Sequence, residues 1–188
     1  MPLPLNRIVD KMQLTSILPP RAQQIALNRK RWAEVLADRS LADLPYRIET
    51  NEHGQILMTP PASGGHSTRQ GWITVRLERL LGGHALPECP ISTIAGVRAA
   101  DVGWYSETRF EKVEGQDAFE IAPEICVEVF SPSNTNSEMQ IKRQLYFDAG
   151  ADEVWICELD GSMSYYQSSH PNTVRAQSVR CPAFPNPT

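Results

Sequence analysis

The segment Pro123-Glu124-Ile125-Cys126-Val127-Glu128-Val129-Phe130-Ser131-Pro132 narrows what this chain can fold into more than any other. Between its prolines lies a run, 125–130, that is apolar on both strand faces apart from Glu128. A strand of that kind belongs in the middle of a sheet covered on both sides. An ionised carboxylate inside it costs several kcal/mol to bury unless a cation or a metal ion compensates it. Glu128 therefore reads as a residue kept for chemistry. Asp101 sits in a similar setting, in the short apolar run Ala99-Ala100-Asp101-Val102-Gly103-Trp104-Tyr105. Two mid-strand carboxylates point to one divalent-metal site, or to acids that each neutralise a buried arginine or cap a turn at the end of a strand.

The remaining elements follow from periodicity and punctuation. Pro2, Pro4, Pro19 and Pro20 mark residues 1–20 as an extended arm. Residues 21–38 read as a helix anchored by Ile25, Trp32, Val35 and Leu36. Ile48-Glu49-Thr50 and Gln55-Ile56-Leu57-Met58 flank a turn-rich linker and form a hairpin. A second helix runs over about 67–81, stopped by Gly82-Gly83. Strands are expected at 91–95, 99–105 and 125–130, with an acidic loop at 107–120. Thr135-Asn136-Ser137-Glu138 is a capping-box pattern that opens a helix ending at Gly150. Residues 153–158 and 163–167 form two strands joined at Asp160-Gly161, and the proline-containing stretch 168–188 reads as an irregular tail. The order of elements predicts a single α/β (α+β) domain built on a mixed central sheet flanked by helices.

Composition removes several classes of function. The 188 residues suffice for one core that buries about 70% of the unfolded surface. No apolar run is long enough to span a bilayer, and Arg7, Asp10 and Lys11 interrupt the N-terminus where a signal peptide would be apolar. The expectation is a soluble, cytoplasmic protein. Cys89, Cys126, Cys157 and Cys181 have neither C-x-x-C spacing nor partner histidines, so no zinc site or disulfide framework is indicated. The net charge of -4 argues against a general polyanion-binding coat. Basic residues outnumber acids up to Ala99 and acids outnumber basic residues after it. Such a division serves a site gathering cations in one half and phosphates in the other, or an ordinary uneven surface.

Three further groups bear on chemistry. Lys142 shares one face of its helix with Met139, Tyr146 and Ala149. From a largely apolar stripe its ammonium either meets an acid or snorkels outward. Arg69, Arg76 and Arg79 lie close together by helical spacing, with His66 near the start of the same helix. They form a row able to contact phosphates, or simply a solvated face. Glu49 and His66, taken alone, read as structural.

The ordered set Ile48-Glu49, Gly54-Gln55-Ile56-Leu57-Met58-Thr59-Pro60-Pro61, His66-Ser67, Ala100-Asp101-Val102, the Ala122–Ser133 segment, Lys142, Tyr146 and Gly150-Ala151-Asp152-Glu153-Val154-Trp155-Ile156 resembles a known family. It is similar to the bacterial putative restriction endonuclease family, also known as a domain of unknown function, within the PD-(D/E)XK nuclease superfamily. The likeness spans about residues 45–167. It implies a restriction-endonuclease-like core and hydrolysis of DNA phosphodiester bonds with Mg²⁺, or Mn²⁺ in its place. Asp101 then matches the first motif acid, Glu128 the second, both as metal ligands, and Glu49 an additional upstream acid. Ala100 replaces the signature proline, and Phe130 stands where the E-x-K lysine would be. The resemblance assigns that lysine to Lys142, with Tyr146 in support and His66, Arg69, Arg76 and Arg79 as candidate phosphate contacts. Cutting a duplex favours a homodimer. Two other readings use the same residues: a catalytically degenerate nucleic-acid-binding or interaction module, and a metal-dependent phosphodiesterase on a smaller substrate.

Overall fold

In the computed structural model, residues 19–132 and 134–185 are described, so all but the end of the expected N-terminal arm lies outside them. The elements run α1 (Arg21–Ala37), α2 (Arg39–Ala42), β1 (Arg47–Thr50), β2 (Ile56–Thr59), α3 (Gly64–Leu81), β3 (His84–Thr93), β4 (Gly96–Tyr105), α4 (Glu107–Phe110), β5 (Ile125–Val129), α5 (Asn136–Asp148), β6 (Glu153–Cys157), β7 (Met163–Gln167) and β8 (His170–Arg175). The first two strands pair as a separate hairpin, and the other six form a sheet in sequence order from β3 to β8. Within that sheet only β5 and β6 run parallel. Parallel neighbours need a crossover of a dozen or more residues, and α5 supplies it. The α5 start is the expected capping box, with Thr135 accepting from the Glu138 amide and Glu138 reaching back to Thr135.

All five residues of β5 are buried, as expected of an interior strand that is apolar apart from Glu128. Cys126 packs with Met139, Tyr146, Ala149, Val154 and Ile156 against α5. Val127 and Val129 pack with Ile73, Leu77 and Trp155 against α3. The fold is thus a mixed sheet flanked by helices, with α3 and α5 on opposite faces.

Several elements depart from expectation for definable reasons. β3 begins at His84 rather than Ile91 although it contains Pro87 and Pro90; it is an edge strand, where a missing N–H costs no ladder bond. The acidic loop contains the short α4, capped by Ser106. The stretch after Ser168, read as irregular, carries β8 on the other sheet edge. In α1 the buried face includes Gln24 and Asn28, while Leu36 is exposed. The Asn28 amide donates to Ser92 Oγ and the Thr93 carbonyl at 2.9 and 2.8 Å, so polar residues are buried there because they satisfy groups at the end of β3.

The β1–β2 hairpin is fastened to β4 by side chains in place of a ladder. Thr50 Oγ1 accepts from the Val97 amide and Glu49 Oε1 from the Ala99 amide, each at 2.9 Å. Gly96, at φ 94°, turns the chain between β3 and β4 beneath this hairpin, and a Cβ there would lie 2.2 Å from the Thr50 carbonyl oxygen. Gly96→Ala combines a left-handed backbone with a backbone clash. It should lower unfolding free energy by at least about 2 kcal/mol in urea denaturation.

Candidate active site

The β4–β5 ladder pairs Val102 with Val127 and goes no further towards Asp101. Where the strands part, the Asp101 carboxylate replaces a backbone acceptor: Oδ2 takes the Val129 amide at 2.6 Å. The regular in-out alternation of β4 also breaks here. Val102 and Trp104 pack in the cluster under α3, whereas Ala100 packs in the one under α5. On β3 the partner position is Glu88, flanked by the pairs Pro87–Val102 and Cys89–Ala100. Among the described residues Glu88 is the non-glycine residue with positive φ, at 50°. A left-handed residue in a strand costs about 1–3 kcal/mol and persists only where its surroundings impose it.

Asp101 is 1% exposed and Glu128 2% exposed, so each needs compensation. Asp101 Oδ1 accepts from Arg47 Nη1 at 2.7 Å, and Oδ2 lies 3.1 Å from His66 Nε2. Burial pushes the Asp101 carboxyl up, but the His66 hydrogen bond and the Arg47 and Lys142 charges outweigh it and hold the carboxyl down at about 2. Glu128 Oε2 accepts from Lys142 Nζ at 2.9 Å and Oε1 from the Tyr146 hydroxyl at 2.6 Å. For Glu128 burial dominates: its pKa is raised, with the Asp101 charge pushing the same way and Lys142 only partly offsetting both. Burial works against the Lys142 ammonium, yet Glu128 and Glu49 more than restore it and its pKa is raised.

Glu49 joins the same cluster from β1. Its Oε1 lies 3.8 Å from Lys142 Nζ, and its Oε2 accepts from Arg98 at 3.1 Å. Burial opposes its ionisation, but Lys142, the Ala99 amide and two arginines hold its pKa below the usual value. Glu128, Lys142, Glu49 and Tyr146 thus form one hydrogen-bonded and ion-paired group, Asp101 and His66 a second, and the charges of Lys142 and Asp101 act across the two. The three arginines of α3 are not part of it. Arg69 donates to the Leu159 carbonyl at 2.6 Å, Arg76 stacks on Trp72, and Arg79 is exposed in the last turn of the helix.

Sequence reasoning missed Arg47, Gln70 and Glu88. Arg47 was findable as the residue two before Glu49, on the same face of a strand. Gln70 follows His66 by four on α3, and its Nε2 donates to the Asp101 carbonyl at 2.7 Å and to Glu88 Oε1 at 2.8 Å. Glu88 had no signal, because its role depends on the bend opposite Asp101.

Asp101 and Glu128 carry the hard oxygen donors that Mg²⁺ or Mn²⁺ prefers. Asp101 Oδ1 and both Glu128 oxygens each have one side-chain hydrogen bond, which leaves lone-pair capacity for a cation. Among the described residues no group of three or more His, Cys, Asp or Glu side chains converges as a metal cluster. The candidate donors for a cation are thus the two carboxylates alone, and a cation taking both would need water or substrate oxygens to complete its coordination.

His66 hydrogen-bonds Asp101 and its pKa is raised, with burial and Arg47 opposing. Its contribution to stability is therefore full below the unfolded value near 6.5 and lost as pH rises through the folded value. The depressed Asp101 contributes the opposite way, above its unfolded value, until pH falls through about 2. The loss of unfolding free energy in His66→Gln should accordingly be larger at pH 5 than at pH 9, by on the order of 1 kcal/mol or less given its partial exposure. Urea denaturation at the two pH values measures it.

Residues 38–181 match the family described as Uma2, putative restriction endonuclease. Among solved structures, the crystal structure of a putative nuclease belonging to DUF820 from Anabaena variabilis ATCC 29413 superposes with a TM-score of 0.59 at 19% identity, covering 72% of this chain and 82% of that one. At that identity the likeness is one of fold. No curated protein matches the chain. Among the described residues no helix is long and apolar enough to cross a membrane.

Proposed function

The chain belongs to the Uma2 family of putative restriction endonucleases, and we propose that it is a divalent-metal-dependent endonuclease that hydrolyses DNA phosphodiester bonds at the cluster around Asp101, Glu128 and Lys142. The observation that carries this reading is the placement of Lys142 on Glu128, from a helix rather than from the strand. A nuclease centre needs a cation site beside a fixed positive donor, and this pair supplies both next to Asp101.

Asp101 and Glu128 would hold the metal, which would supply a bound water of lowered pKa and neutralise charge on the phosphate. Lys142 has a raised pKa and is protonated in the free protein, so it acts as a donor: it orients the attacking water or stabilises charge on the phosphorane. Glu49 holds Lys142 from the other side, and Tyr146 fixes the Glu128 carboxylate by donating to Oε1. His66 holds Asp101 and stands at the start of α3. A homodimer would bring two such sites to the two strands of a duplex.

One observation favours a second reading, a non-catalytic nucleic-acid-binding module: Arg47, His66, Lys142 and Tyr146 already satisfy both carboxylates without any metal.

Nicking of mixed plasmid DNA with Mg²⁺ or Mn²⁺, together with thermal unfolding, separates the two. Wild type should nick and be stabilised by metal, Glu128→Gln should lose both, and Lys142→Ala should lose about 10²–10³-fold in rate. Full activity in both variants would end the nuclease assignment at this site; absence of any metal shift in wild type would favour the binding module.

A further inference from the structure

Arg47 packs against the cluster with its guanidinium facing Asp101, the Ala99 carbonyl and Glu88. Nη1 donates to Asp101, Nη2 to the Ala99 carbonyl, and Nε lies 2.9 Å from Glu88 Oε2. The last contact is an ion pair without a hydrogen bond, so the buried Nε–H has no acceptor. A guanidinium with an unsatisfied Nε–H keeps a charged donor for a phosphate oxygen. Glu88 differs from the acids behind it. Its side chain is 47% exposed, while Asp101 is buried at 2%. Glu88 is also the residue with the left-handed backbone, and Gln70 Nε2 holds its other oxygen. The chain thus keeps an exposed anion, on a strained backbone, against the outer edge of the arginine.

We infer that Arg47 is the phosphate-binding side chain of this site and that the Glu88 carboxylate takes the place of the phosphate in the free protein. The inference rests on the proposed nuclease function for its substrate, a backbone phosphate of nucleic acid, but the anion site stands on geometry alone. An arriving phosphate replaces Glu88 at Arg47. The displaced carboxylate is free to enter solvent because it is half exposed, whereas Asp101 stays in place on the Val129 amide and His66. Gln70, bonded to the Asp101 carbonyl, remains as the fixed point from which Glu88 leaves.

The test uses inorganic phosphate and a labelled DNA duplex as separate probes, titrated without divalent metal into wild type, Glu88→Gln, Arg47→Lys and the double variant. Removing a like charge from a partly exposed site should tighten both probes roughly five- to tenfold in Glu88→Gln. Arg47→Lys should weaken both, because an ammonium lacks the planar fork, and the double variant should bind like Arg47→Lys alone. The Arg47 Nε–H resonance of wild type, which should shift on adding phosphate, gives a readout independent of whether the Arg47 variants fold. Unchanged phosphate affinity in Glu88→Gln, tightening that persists in the double variant, or an unmoved Nε–H resonance would overturn the inference. Cleavage of DNA by wild type with any of those results would leave the nuclease reading standing without this site. Phosphate binding through Arg47 by a protein that cuts no DNA would support the site and defeat the nuclease reading.

Discussion

The pairing of Glu128 with Lys142 and Tyr146 is the contact on which the arrangement of this protein turns. A carboxylate in the third strand of a six-stranded sheet is tolerable only if donors reach it from the covering layer. α5 brings two, one turn apart, and α5 is also the crossover that lets β6 run parallel to β5. The compensation of one charge and the topology of the sheet are therefore the same structural event. Removing either donor would leave a buried acid under-compensated, and its pKa, already raised by burial, would rise further.

Asp101 is accommodated by a different device. β4 and β5 diverge beside it, and its carboxylate takes the amide that the ladder no longer reaches. On the same edge of β4, past the point where β5 leaves it, Thr50 and Glu49 from the hairpin accept the Val97 and Ala99 amides, so side chains stand in for strand pairing there. Where a sheet parts in this way, the groups along the break are polar by necessity. The donors and acceptors that would otherwise be orphaned are the ones available for chemistry.

The charges in this opening are nearly balanced without a metal. Three buried acids, Glu49, Asp101 and Glu128, face Arg47, Arg98, Lys142 and a histidine whose pKa is raised. Binding of a cation must then compete with arginine and lysine for the same oxygens, and an arriving phosphate offers those side chains new acceptors. Cation and phosphate would assist each other here for an electrostatic reason, since each relieves the charge that the other releases.

How far the sequence reached depended on whether a signal was local. The β5 strand, the capping box at Thr135, the turn at Asp160-Gly161 and the inward face of Lys142 all rest on spacing within one element, and spacing survives folding. The prolines of β3 and the polar face of α1 misled for the opposite reason: an edge strand forgives Pro87 and Pro90, and the strand end binds Asn28, neither of which is visible along the chain. By itself the sequence determined that two acids stand in apolar strands and that a lysine lies on a largely apolar helix face, because burial and periodicity are written in residue type. Only the tertiary structure decided which cation meets which acid, and that Arg47, Gln70 and Glu88 belong to the site, because those contacts depend on where two strands part and a hairpin docks.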